Sequence, residues 1–423
     1  MILFEDQPRD LAGLVVPVRG SLVETEQLWE PWRLLDPAGA VVVPVAEFLR
    51  DLAACGRSVS TQRSYGLALL RWFRFLWAVE VAWDRATAAE ARDFSCWIRL
   101  VDKPVRPHWR REAEAQEVPV AVAERAANPV TGKTRPGRKY ADTTRAHSES
   151  IVRGFYEFHR DAGTGPMVNP FPLARRSGRA HAHHNPMEPH RQERSGRYRP
   201  RLTQRKPRSI PDERFNELFA SLGSHRDRAL VALWVSTGAR ASELLGATQG
   251  DADVGQQLIT VVRKGSRALA QLPASPDAFV WLRLYQQQMH GLVPAGGDQP
   301  LWWTLRRPFR QLSYHAAHRM FTRTAGLLGA DWTLHDLRHT AAYRMARDPR
   351  MPITDVQWVL GHASLSTTQI YTNPLPEDVI ASVSAHHNRR NHPEKATPQK
   401  PGAETASGYR PESLDVLFGR GRS

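Results

Sequence analysis

Only one stretch of this 423-residue chain reads strongly as β structure. Residues 256–273, Q-Q-L-I-T-V-V-R-K-G-S-R-A-L-A-Q-L-P, set two β-rich runs on either side of a Lys-Gly-Ser turn, which predicts a hairpin with Lys264 near its tip. Elsewhere apolar residues recur at helical spacing, or the periodicity is lost. The chain is therefore expected to be mostly α with a small β-hairpin or sheet. It is also long for a single core, which predicts two domains and a linker.

Charge narrows the partners. The formal net charge is +15, a surplus that predicts a polyanion, above all nucleic acid; the bland alternative is a basic protein with no such partner. Two cysteines, Cys55 and Cys96, are too few for a disulfide framework or a four-thiolate metal site. They are expected to be buried free thiols in a reducing cytoplasm. No apolar run is long enough to cross a bilayer, and the start M-I-L-F-E-D lacks the basic opening of a signal peptide. A cytoplasmic, nucleic-acid-associated protein is expected.

Residues 1–40 are mildly acidic and read as an N-terminal extension packed on the first domain. That domain, 41–170, reads as helical. Val45 to Ala54 is amphipathic, and a second helix with Ser60 as its cap carries Tyr65, Leu69, Trp72 and Leu76 as core. Arg63, Arg71 and Arg74 lie off that stripe; they either face phosphates or form a solvated side. Thr87 opens a third helix that runs to Leu100. Residues 101–139 lose periodicity and form a loop insertion. A helix resumes at Asp142 with Ile151, Phe155 and Phe158 inward, and Asn169-Pro170 ends the domain.

Residues 171–208 hold eleven Lys or Arg against two acids, a composition that predicts a linker. It is either a tether or a strap along a nucleic-acid backbone, with Arg197, Arg199 and Arg201 among its contacts. Its histidines, His181, His183, His184 and His190, lack a supporting metal framework, so no metal is expected. The second domain, 209–387, opens at Ser209-Ile210-Pro211-Asp212 with a cap and an early-helix proline. Arg226 to Val235 is an apolar helix broken at Thr237-Gly238, which places Arg240 at the start of the next helix, where a guanidinium can face an anion. Glu243 reads as structural. Pro276 to His290, Ser313 to Leu328 and Pro376 to His386 are further helices. Residues 388–423 read as a tail with one apolar patch, Leu414 to Phe418.

The stretch 333–371 carries the chemistry. In T-L-H-D-L-R-H, Thr333 and Asp336 form a capping-box pattern, and His335 and Arg338 share a helix face. Gly361 in L-G-H reads as a helix C-cap that turns His362 outward. Ser366 and Gln369 suggest a further cap, with Tyr371 on the short helix that follows. Breaking a phosphodiester needs a nucleophile, donors for the non-bridging oxygens and a proton for the leaving oxygen. Arg240 and Arg338 suit two phosphate oxygens, and His362 can donate a further bond. Tyr371 is the candidate nucleophile, His335 the expected helper for its proton, and Lys264 a general acid if its hairpin covers the site.

These six residues, in this order, resemble the tyrosine recombinase (phage integrase-type) family. The resemblance is sharpest over 209–386 and looser over 41–170, which is similar to the family's helical core-binding domain. It implies a two-domain clamp on duplex DNA and a 3′-phosphotyrosyl intermediate formed without metal, ATP or other cofactor. It also implies a homotetramer that exchanges strands pairwise, with the C-terminal segment reaching a neighbour. The insertion 101–139, the long linker and the tail depart from a compact member. The acidic front gives no sign of the extra arm-binding domain that some integrases carry. Three alternatives compete. His335 and His339, at i and i+4, resemble a zinc-hydrolase helix; a type IB topoisomerase uses similar groups; and a catalytically silent DNA-binding or regulatory protein would keep the fold alone.

Overall fold

The computed structural model describes residues 9–104, 127–134, 137–174, 195–202, 208–372 and 376–391. The histidine cluster 181–190, most of the insertion and the apolar patch of the tail lie outside them. The chain divides into two compact units, Met1–Arg205 and Lys206–Ser423.

The first unit begins with an antiparallel hairpin, β1 (Ser21–Glu24) and β2 (Trp32–Leu35), in which Ser21 faces Leu35 and Glu24 faces Trp32. The sequence offered no alternating run here. Leu34 nevertheless enters the helical core, and Arg9 reaches Glu90 and Asp93 on the third helix. Four helices follow: α1 (Val43–Ala54), α2 (Val59–Ala78), α3 (Ala88–Leu100) and α4 (Asp142–Asp161). Ser58, not Ser60, caps α2 by accepting from the Thr61 N–H. Thr87 and Glu90 cap α3 reciprocally. Trp72 is fully buried, meets Phe94 and Phe171 edge-on, and donates its indole N–H to the Tyr156 hydroxyl at 3.0 Å. Ile151 and Phe155 are buried, while Phe158 is only partly so.

Asn169-Pro170 does not end this unit. Phe171 joins its core, Leu173 bridges to Gly196, and the Arg197 N–H donates to the Pro172 carbonyl. Residues 195–202 thus lie on the first unit, with Tyr198 against its core. A composition argument averages over a segment and misses two such anchors. Both cysteines are exposed, against expectation, because Cys55 follows the last turn of α1 and Cys96 sits on the outer face of α3.

The second unit holds α5 (Asp212–Ala220), α6 (His225–Thr237), α7 (Ala241–Leu245), β3 (Ala252–Asp253), β4 (Leu258–Val262), β5 (Leu269–Pro273), α8 (Pro276–Met289), α9 (Tyr314–Leu327), α10 (Leu334–Arg347), α11 (Ile353–Leu360), α12 (Leu365–Gln369) and α13 (Pro376–Asn391). The predicted hairpin is β4–β5, paired from Leu258–Pro273 to Val262–Leu269, and the two-residue β3 adds to its other edge. Helix α6 is the axis of the core. Ser224 caps it, Leu230, Leu233 and Trp234 are buried, and it packs on α8 and α10. Pro211 proves to be the N-cap of α5 rather than its first residue. Gly238 closes α6 at φ +62°, where a Cβ would lie 2.8 Å from Leu360 Cδ2, so glycine answers both the backbone and the packing. No described helix is long and apolar enough to cross a membrane.

Candidate active site

Helix α10 supplies three of the site's side chains because its start is fixed. The Thr333 backbone and hydroxyl both donate to Asp336 Oδ2, at 2.7 and 2.9 Å, which sets the first turn and the phase of His335, Arg338 and His339. Arg338 is 4% exposed. Its Nη1 donates to the Gly238 carbonyl at 2.7 Å, and its Nη2 donates to the Leu360 carbonyl at 2.7 Å and to His362 Nε2 at 3.0 Å. One guanidinium therefore ties the end of α6 to the end of α11. Among the described residues no carboxylate pairs with it.

Gly361 ends α11 at φ +61° in the left-handed conformation, as its place after an apolar run predicts. The turn delivers His362, whose Nδ1 lies 2.9 Å from Thr368 Oγ1. With Nε2 accepting from Arg338, both ring nitrogens are engaged. The free donor expected of His362 is thus absent in this state. Tyr371 is 5% exposed and follows α12 instead of riding on a helix, because Ser364 rather than Ser366 starts α12. Its ring lies parallel to His362, with centroids 6.3 Å apart. Its hydroxyl lies 2.8 Å from His339 Nδ1.

That contact corrects one expectation: the imidazole that meets the tyrosine hydroxyl is His339, not His335. His335 is exposed one turn earlier, its ring 4.4 Å from that of His339. The i, i+4 spacing of the two histidines was visible in the sequence but pointed to a metal helix. Only the return of the chain at 371 shows what the second one faces.

Glu243 organises the other side. It is buried and accepts from the Arg240 N–H at 2.9 Å, from Arg240 Nη1 at 2.8 Å and from the Lys264 N–H at 3.0 Å. Arg263 Nη1 lies 3.6 Å from the same carboxylate, while its Nη2 donates to the Trp358 and Val359 carbonyls at 3.2 and 2.6 Å. One carboxylate thus sets the position of Arg240, holds the hairpin at Lys264 and, through Arg263, joins the hairpin to α11. The Lys264 residue is exposed.

The electrostatics follow from burial among cations. Desolvation, then Arg240, lowers Arg338 to about 10. Desolvation, then Arg338, takes His362 down to about 4, and desolvation, then His335, does the same for His339. Burial raises Tyr371 against the opposing pull of Arg338. Burial would raise Glu243, but the hydrogen bonds from Lys264 and Arg240 outweigh it and hold the carboxylate low. The resting site is a neutral phenol and neutral imidazoles beside two guanidiniums.

The arginines singled out on the first unit divide. Arg71 donates to Ser148 at 3.0 Å and packs over Tyr140, and Arg74 donates to the Arg19 and Gly20 carbonyls at 2.7 and 2.9 Å. Both are tied into the unit rather than forming a solvated side. Arg63 is exposed over Trp32, Arg197 lies over Tyr198, Arg199 donates to Ser150, and Arg201 is exposed.

The model of the phage integrase family matches residues 210–378, a span that holds all of these second-unit side chains. Over that span the chain is similar to the phage integrase family of tyrosine recombinases. Tyrosine recombinase XerC of Chlamydia caviae is 34% identical to this chain over 183 residues, 41% of the chain and 57% of the relative. XerC of Corynebacterium efficiens is 32% identical over 204 residues, 45% and 62% respectively. XerD of Yersinia pestis is 28% identical over 197 residues, 45% and 65%. The match thus spans less than two thirds of these relatives' length. Among solved structures, XerH bound to palindromic difH substrate aligns with a TM-score of 0.53 at 15% identity, over 81% of this chain and 85% of that one. The Tn1549 transposon integrase in complex with transposon right end DNA aligns with a TM-score of 0.51 at 13% identity, over 83% and 99%. At such identities the likeness is one of tyrosine recombinase fold.

Proposed function

We propose that this protein is a site-specific DNA recombinase that cleaves and rejoins strands through a 3′-phosphotyrosyl intermediate. One observation carries the reading: Arg338, buried and in no ion pair with a carboxylate among the described residues, stands beside Arg240 and His362 within the electrostatic reach of Tyr371. Glu243 is committed to Arg240 and Arg263, so the cations outnumber the one carboxylate, and a phosphodiester supplies the further anion. Arg240 and Arg338 hold the non-bridging oxygens. The Tyr371 oxygen attacks phosphorus, the bond to the 5′ oxygen breaks, and Lys264 gives that oxygen a proton. The bond energy stays in the phosphotyrosyl link, so religation needs neither ATP nor metal.

The sequence-independent part of the affinity falls to exposed cations, Arg63, Arg197, Arg199 and Arg201 among them, while Arg71 and Arg74 serve the fold. On DNA the protein works as a tetramer that exchanges strands pairwise. A duplex nicked beside the cleavage position tests the chemistry. The expected outcome is a covalent protein–DNA product with the wild-type chain and none with Tyr371→Phe. Tight binding with no product from the wild type would favour the regulatory alternative.

A further inference from the structure

We propose that His339 is a catalytic residue: its Nδ1 takes the phenolic proton of Tyr371 as the tyrosine oxygen attacks phosphorus. The inference rests on the recombinase reading above and deepens it. Three imidazoles surround the phenol, and geometry separates them. His362 is stacked on the Tyr371 ring, but both its nitrogens are committed, one to Arg338 and one to Thr368. His335 is exposed and reaches the phenol only through the ring of His339. His339 alone, among the described residues, brings a ring nitrogen to hydrogen-bond distance of the hydroxyl, at 2.8 Å. It is also rigidly held, one residue beyond Arg338 on the same helix, so the base and the phosphate-binding guanidinium move as one body.

The step requires the His339 tautomer with its hydrogen on Nε2. The proton moves from Tyr371 Oη to His339 Nδ1, the Oη–P bond forms, the P–O5′ bond breaks, and the 5′ oxygen collects a separate proton from Lys264. Religation runs the same path backwards, with His339 returning the proton to the phenol. The groups facing His339 are His335, Asp336 and Arg338 on its own helix, and His362 and Tyr371 beyond it. Burial and the neighbouring His335 and Arg338 keep the empty site's imidazole weakly basic, so the phenol stays protonated until a phosphate anion enters and offsets the cations. The tyrosine is thereby protected from stray reaction when no DNA is bound.

The test uses the full chain and a nicked duplex carrying a sequence that the protein itself selects from a randomised duplex pool. Adduct from the wild type, absent in Tyr371→Phe, first secures the nucleophile; failure here sinks the recombinase reading and not only this inference. His339→Asn then keeps an amide at the Nδ1 position but cannot take a proton. Single-turnover adduct formation should slow on the order of 10²–10⁴-fold, the usual worth of a general base. A fluorinated, more acidic tyrosine at 371 should shrink that penalty to under about tenfold, because an easily ionised phenol needs less help. A wild-type rate in His339→Asn, or a penalty that the fluorinated tyrosine leaves unchanged, overturns the assignment and leaves His339 a positioning residue. Should the asparagine variant not fold, His339→Ala with added imidazoles decides. Rescue that rises with imidazole basicity supports a base, and rescue insensitive to basicity refutes it.

Discussion

Replacing Arg338 by alanine should unfold much of what it is meant to test. Its guanidinium satisfies the carbonyls of Gly238 and Leu360, both buried at the ends of the helices that it ties together. Hydrogen bonds from a charged donor contribute about 1.5–3 kcal/mol each, and stranding the two acceptors removes about 3–6 kcal/mol. A domain of this kind holds only about 5–15 kcal/mol in total. At about 2–4 °C per kcal/mol for a unit of this size, the second unit's melting temperature should fall by at least about 6 °C. Arg240→Ala is the comparison. Its Nη1–Glu243 pair has a side chain 30% exposed, and the Lys264 and Arg240 backbone N–H groups still serve the carboxylate after the change, so the cost should stay near 1 kcal/mol. Differential scanning calorimetry, with hydrogen exchange to localise the loss to α10 and α11, reads both variants. An Arg338→Ala protein that melts with the wild type while failing to form adduct would mean that the guanidinium binds substrate and holds nothing together. Arg338 variants should therefore be scored for activity only at temperatures where they are shown to be folded.

Two other perturbations probe the same region. Gly361→Ala forces a side chain into the left-handed conformation at φ +61° and sets its Cβ 3.1 Å from Arg263 Cζ; the backbone conformation alone should cost about 1–2 kcal/mol, and an unchanged denaturation midpoint would show that the turn is not needed. His339 and His362 bind protons near pH 4 in the fold and near pH 6.5 when unfolded, so between those values the unfolded chain holds more protons. Their contribution is complete above about pH 6.5 and is lost as the pH falls toward 4. The melting temperature of the second unit should decline across that window, less steeply in His339→Gln, and equal slopes in the two proteins would contradict the burial described here.

What the sequence discloses about this fold is what local rules decide. The capping box at Thr333, the left-handed glycines 238 and 361, and the alternating run around Lys264 each act within a few residues, and each is where the pattern places it. The hairpin β1–β2 escapes because its strands are four residues each and only Leu34 is buried; the pairing is stabilised by packing on α1 and α2, not by alternation. Arg71 and Arg74 could not be distinguished from a solvated side for the same reason. Their partners, Ser148 and the carbonyls of residues 19 and 20, lie more than fifty positions away.

The site divides along the same line. Residue types and their order single out six candidate groups, because phosphodiester chemistry restricts which side chains can serve. Pairwise duties among them depend on where loops return, and there the reading shifts from His335 to His339 and from a free His362 to one committed on both sides. Glu243 shows the limit most clearly. Three residues after Arg240 it looks like an ordinary first-turn acid, which is what its capping contact with the Arg240 N–H makes it. Yet the same carboxylate reaches Lys264 and Arg263 across about twenty residues, so an acid that reads as structural is what sets the distance between the Arg240 guanidinium and the hairpin at Lys264. In a site built this way, catalytic geometry and fold stability rest on the same few bonds.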